Sequence, residues 1–91
     1  MIASFRNKGL EELFSCGRSR RIASQHQKVI LQILDLLANM GDPSDCVGVR
    51  RFHALKGERK GSFSLWVSGN YRITFRWAHG LVHDVDFEDY H

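Results

Sequence analysis

Ninety-one residues with 43% hydrophobic and 25% charged side chains make one folded domain, spanning 1–91, and leave no room for a second core. The formal net charge of +3 excludes an acidic tail-like chain and suits a polyanionic partner. The most apolar stretch, Val29 to Ala38, carries Gln32 and Asp35 and is too short to cross a bilayer, so no membrane partner is expected.

The opening segment MIASFRNKG has no apolar run of signal-peptide length. Ile2 to Phe5 can form a short strand. From Asn7 to Cys16 the spacing of Leu10, Leu13 and Phe14 predicts a helix, closed by Gly17 in a left-handed position. Arg18, Arg20 and Arg21 follow as a basic cluster. Ser24 and Gln27 have capping-box spacing, and Ile30, Ile33, Leu34, Leu37 and Ala38 predict a second helix with one apolar stripe. Leu31 and Leu36 lie off that stripe. They either widen the core face or mark a partner surface. Gly41 and Pro43 end the helix, and 41–48 reads as a loop. Cys16 and Cys46 show no CxxC spacing and read as thiols of a reducing compartment, hence an expected cytoplasmic location.

The period then changes from helical to alternating. Phe63, Leu65 and Val67 alternate with Ser62, Ser64 and Trp66. Tyr71, Ile73, Phe75 and Trp77 alternate with Arg72, Thr74 and Arg76. Leu81, His83, Val85 and Phe87 alternate with Val82, Asp84, Asp86 and Glu88. Three antiparallel strands are predicted. Strict alternation favours three-residue turns at 68–70 and 78–80, with Asn70 and Gly80 left-handed. That register sets Trp66 beside Arg72, Arg72 beside Asp86 and Thr74 beside Asp84, and it turns His83 to the apolar face. The fold class is α+β, with two N-terminal helices packed on one face of a small, mainly antiparallel sheet.

The polar face carries the chemistry. Arg72, central in it, is either a cross-strand partner of Asp86 or a bidentate phosphate clamp. Trp66 is either a base-stacking platform or a cation–π neighbour of Arg72. His53 precedes the basic loop Lys56-Gly57-Glu58-Arg59-Lys60-Gly61, and Asp89-Tyr90-His91 ends the chain. Imidazoles, a phenol and a carboxylate supply proton shuttles, and the cations suit a charged phosphorane. The histidine spacings match no metal signature, so neither a metal nor a cofactor is expected.

These residues carry a family resemblance. IASFRNKGLEELF, FHALKGERKGSFSLWVSGNYRITFRW and the terminal EDYH resemble, in order and spacing, the HigB-type toxins of the RelE/ParE superfamily, and the likeness covers nearly the whole chain. Ala54, Phe63, Tyr71 and the pair Leu81-Val82 depart from the family pattern. The resemblance implies a RelE-like fold and a ribosome-dependent endoribonuclease that cuts mRNA in the A site without a metal. It implies catalytic roles for His53, Arg72, Asp89, Tyr90 and His91. Lys56, Arg59, Lys60, Trp66, Asn70 and Arg76 are candidates for substrate binding, and Arg18, Arg20 and Arg21 for ribosomal RNA. The implied partners are the 70S ribosome, its mRNA and a HigA-like helix-turn-helix antitoxin, for which Leu31, Leu36 and the N-terminal segment are candidate contacts. The rival readings are a non-catalytic RNA- or protein-binding module and a gyrase-directed, ParE-like toxin.

Overall fold

The structure is a computed structural model that describes residues 1–89. Helix α1 spans Lys8–Cys16 and α2 spans Ser24–Asn39. Strands β1 (His53–Ala54), β2 (Ser62–Ser68), β3 (Tyr71–Ala78) and β4 (Leu81–Asp89) pair antiparallel in the order β1-β2-β3-β4. The N-terminal segment runs parallel to β4, bridging Ile2 to Val82 and Phe5 to Val85. The expected short first strand is thus reduced to two bridges on the β4 edge. No helix among the described residues is long and apolar enough to cross a membrane.

Helix α1 starts where Asn7 accepts the Leu10 N–H at 3.1 Å, and it stops where Gly17 turns left-handed at φ 81°. At α2 the expected capping box does not form. Ser24 lies inside the helix, Ala23 is the cap and makes no side-chain bond, and Gln27 instead donates to the Ser19 and Ile22 carbonyls at 2.9 and 3.0 Å. Gln27 thereby ties the helix start to the connection from α1, satisfying carbonyls that a capping box would leave to water. A box with both reciprocal bonds does occur in the following loop. There Asp42 and Asp45 cap a short 3₁₀ turn, Pro43–Cys46.

The core sits between the helices and one sheet face. Leu10 and Leu13 of α1 and Ile30, Ile33, Leu34 and Leu37 of α2 are buried with Leu65, Val67, Ile73, Phe75, Val82 and Val85 of the sheet. Leu31 and Leu36 are partly buried against this cluster, so both widen the core face. Cys46 is buried and its burial raises the thiol pKa, while Cys16 is exposed; both are free thiols.

Strand register departs from strict alternation at two places. The first hairpin turns on Gly69-Asn70 alone, pairing Ser68 with Tyr71, and a bulge between Trp66 and Ser68 absorbs Val67. Gly69, at φ 55°, takes the left-handed position expected for Asn70. The second hairpin turns on His79 and Gly80, both left-handed at φ 54° and 73°, pairing Ala78 with Leu81. Two left-handed residues give the primed turn that matches strand twist. A bulge further along, where Asp84 and Val85 together oppose Phe75, widens this one-residue offset to two and so restores the facing of the side chains. Asp84 is left-handed at φ 55°, and its N–H is held by Ser4 Oγ at 2.9 Å. An aspartate tolerates this conformation better than a branched residue.

The bulge corrects three expectations. Val82 rather than His83 joins the core, and His83 pairs across from Arg76 with its Nε2 3.1 Å from the Ala78 carbonyl. Arg72 pairs across from Glu88 rather than Asp86. Thr74 pairs across from Asp86 rather than Asp84.

Candidate active site

On the face away from the helices, the register lays out two adjoining rows. His53, Ser64, Thr74 and Asp86 form one; Trp66, Arg72 and Glu88 form the other. His53 on β1 and Thr74 on β3 are two strand spacings apart, about 10 Å. That span suits an extended sugar-phosphate lying across the strands.

The centre of this face is covered rather than bare. Ser64 and Thr74 are only 1% and 2% exposed, although both stand on the polar side. Arg72 Nη1 approaches Ser64 Oγ at 3.5 Å, and Thr74 Oγ1 donates to Glu88. Arg59 Nη1 and Nη2 donate to the two Glu88 oxygens at 2.9 and 2.6 Å, a bidentate pair joining the 3₁₀ turn Gly57–Arg59 to β4. Arg59, a candidate for substrate, is therefore engaged by a carboxylate. Glu88 was not singled out by the sequence reading, because strict alternation placed Asp86 opposite Arg72.

A cleft of about 290 Å³ runs along this covered centre, with Arg6, Arg59, Arg76, Asp84, Asp86 and Glu88 in its walls. Arg76 is tied to Asp84 at 3.2 Å. The hydrogen bonds from Arg59 depress the Glu88 pKa most. Desolvation opposes them, and Thr74 and the charges of Arg59 and Arg6 add to the lowering. A carboxylate with a lowered folded pKa stabilises the fold above its unfolded pKa, and that contribution is lost as pH falls through the folded pKa. Stability to urea should therefore fall on acidification below the ordinary glutamate range, and Glu88→Gln should flatten that fall. Glu12 and Asp42, also lowered, account for a remainder. Identical acid profiles for wild type and Glu88→Gln would refute the assignment.

His53 is exposed, and its Nδ1 lies 3.0 Å from the Arg51 carbonyl oxygen. A carbonyl can only accept, so in the neutral ring Nδ1 carries the proton and Nε2 keeps its lone pair. The residues before it are unusual. Arg50 and Arg51 are successive left-handed residues at φ 42° and 56°. Their guanidinium carbons lie 5.1 and 4.7 Å from the Trp66 ring centroid, and Trp66 Nε1 donates to the Gly69 carbonyl at 2.9 Å. Trp66 is thus a cation–π partner, but of Arg50 and Arg51. Both arginines are legible in the sequence as part of the basic cluster with Lys56, Arg59 and Lys60, but not their contact with Trp66, since the left-handed backbone that presents them has no glycine to announce it.

Lys56 caps the Gly57–Arg59 turn, and Lys60 follows it, both exposed. Asn70 lies in the β2–β3 turn. Asp89 ends β4, paired across from Tyr71. Tyr90 and His91 lie outside the described residues. Arg18, Arg20 and Arg21 are brought together elsewhere, in the walls of a separate depression of about 870 Å³ beside the end of α1. Arg21 there pairs with Glu12 at 3.3 Å. Among the described residues, no three His, Cys, Asp or Glu side chains are grouped as a metal site requires.

Comparison with known proteins places the chain as a whole. Endoribonuclease HigB of Proteus vulgaris is 36% identical over 94 residues, covering 100% of both chains. A family model described as the RelE-like toxin of type II toxin-antitoxin system HigB matches residues 3–91. With two helices against a mainly antiparallel sheet and a basic, histidine-bearing open face, the chain belongs to the HigB-like toxin family.

Proposed function

We propose that this protein is the toxin of a type II toxin–antitoxin pair and an endoribonuclease that cleaves mRNA in the ribosomal A site. The relative from Proteus vulgaris carries the name endoribonuclease, and it aligns along the full length of both chains. The observation that carries the reading at the level of chemistry is His53. Its Nδ1 is turned to a backbone carbonyl, its Nε2 lone pair is available, and Arg72 stands on the same sheet face.

In the proposed reaction His53 Nε2 takes the proton of a ribose 2′-OH. The 2′-oxygen attacks the adjacent phosphorus, and the bond to the 5′-oxygen breaks. Arg72 and Lys56 offset the charge that grows on the phosphorane oxygens. The leaving 5′-oxygen gains a proton from the terminal group of Asp89, Tyr90 and His91, in which the Tyr90 phenol carries an O–H that can donate. The products are a 2′,3′-cyclic phosphate and a 5′-OH, and no metal enters the scheme. The ribosome supplies the mRNA in a near-attack shape, which a domain of this size cannot impose alone. Arg18, Arg20 and Arg21, clustered away from the open face, are the proposed grip on ribosomal RNA. A HigA-like antitoxin is the proposed neutralising partner, and the cytoplasm the proposed location.

The test is primer extension on programmed 70S complexes, with naked mRNA as control. Cuts confined to the A-site codon, and only on ribosomes, are the expected result. Growth arrest without any cut would sink the nuclease reading and direct attention to a gyrase-type target.

A further inference from the structure

The strained pair at 50–51 is held by contacts that end on His53. Two consecutive left-handed non-glycine residues are costly in an L-chain, and the surroundings must over-determine them. They do so through Arg50. Its Nε donates to the Trp66 carbonyl and its Nη2 to the Val67 carbonyl, both at 2.7 Å, while its own carbonyl accepts the Trp66 N–H at 2.7 Å. These partners stand at the bulged end of β2, beyond the two residues that β1 covers. Arg50 thus docks the chain to β2 where the strand ladder with β1 has run out. The next residue, Arg51, then presents its carbonyl to His53 Nδ1.

We infer that Arg50 is a positioning residue that sets the tautomer of His53, protonated on Nδ1, by pinning residues 50–51 to the bulge of β2. Its importance for catalysis rests on the nuclease reading above; its effect on the imidazole does not. Arg50 has no reacting atom of its own. A forked guanidinium suits the task because two carbonyls must be held at once, which a lysine ammonium on a flexible stem does poorly.

The variants are Arg50→Gly and Arg50→Lys. Glycine accepts the left-handed φ without strain and deletes the fork together with its cation–π contact to Trp66. Long-range ¹H–¹⁵N spectra of the imidazoles, recorded where His53 is neutral, read the tautomer directly. Wild type is expected to show Nδ1 protonated and Nε2 bare. Arg50→Gly is expected to shift His53 to the mixed tautomers of a solvated histidine and to lower kcat on programmed ribosomes about ten- to a hundredfold with KM little changed. Should Arg50→Gly not fold, Arg50→Lys gives the same readout. A wild-type His53 protonated on Nε2, or a tautomer that ignores both substitutions, overturns the inference. A tautomer that follows Arg50 in a protein that cuts no mRNA upholds the inference and removes the nuclease reading instead.

Discussion

His53→Ala is expected to slow A-site cleavage by about 10²–10⁴-fold, the contribution of a positioned general base. Folding should be nearly untouched, with a stability change within about 0.5 kcal/mol. The separation follows from the structure. The His53 side chain is exposed, and its Nδ1 bonds to the Arg51 carbonyl, within its own loop. Alanine leaves the carbonyl to water and the β1 backbone in place. Single-turnover cleavage on programmed ribosomes measures the first quantity and urea unfolding the second. A loss below tenfold would remove His53 from the reaction and leave the proton transfers to the terminal group.

Phe75→Ala should do the opposite. It is expected to cost about 3–5 kcal/mol of stability. A domain of this length has roughly 5–14 kcal/mol in all. Phe75 is 1% exposed, its ring stacks with Phe63 at 5.5 Å, and it stands opposite the two-residue bulge of β4. Deleting a ring this deeply buried removes its contacts and leaves a cavity that its neighbours fill only in part. A melting midpoint lower by on the order of 10–40 °C is expected. A shift under about 5 °C would mean that the core rearranges to fill the site.

The two variants separate what is local in this chain from what is not. The helices were legible because their signals repeat within one turn: Leu10 and Leu13 in α1, and Ile30, Ile33, Leu34 and Leu37 in α2, are buried as their spacing predicts, whereas Phe14, expected on the same face of α1, is exposed and packs against Phe5. The alternating runs likewise located β2, β3 and β4, and the pairs Phe63 with Phe75 and Leu65 with Ile73 follow from it. The sequence reading failed where one extra residue enters a strand. A period of two has no mark for a bulge or for a turn one residue shorter, so the expected partners are offset beyond Val67 and throughout the β3–β4 hairpin, by one residue up to His83 and by two beyond Asp84. His83 changed faces for that reason, and Glu88 took the place expected for Asp86 opposite Arg72.

Residue types and their order determined the α+β class, the polar face and the presence of His53, Arg72 and a basic loop upon it, because propensity and periodicity act between neighbours in the chain. Tertiary structure alone decided which groups meet there. Arg59 and Glu88 are 29 residues apart and Arg50 and Trp66 are 16 apart. Such pairs depend on hairpin register, which turn conformation and interstrand hydrogen bonds set jointly. The nitrogen that His53 offers depends likewise on a left-handed backbone at Arg50 and Arg51 that only docking onto β2 can sustain.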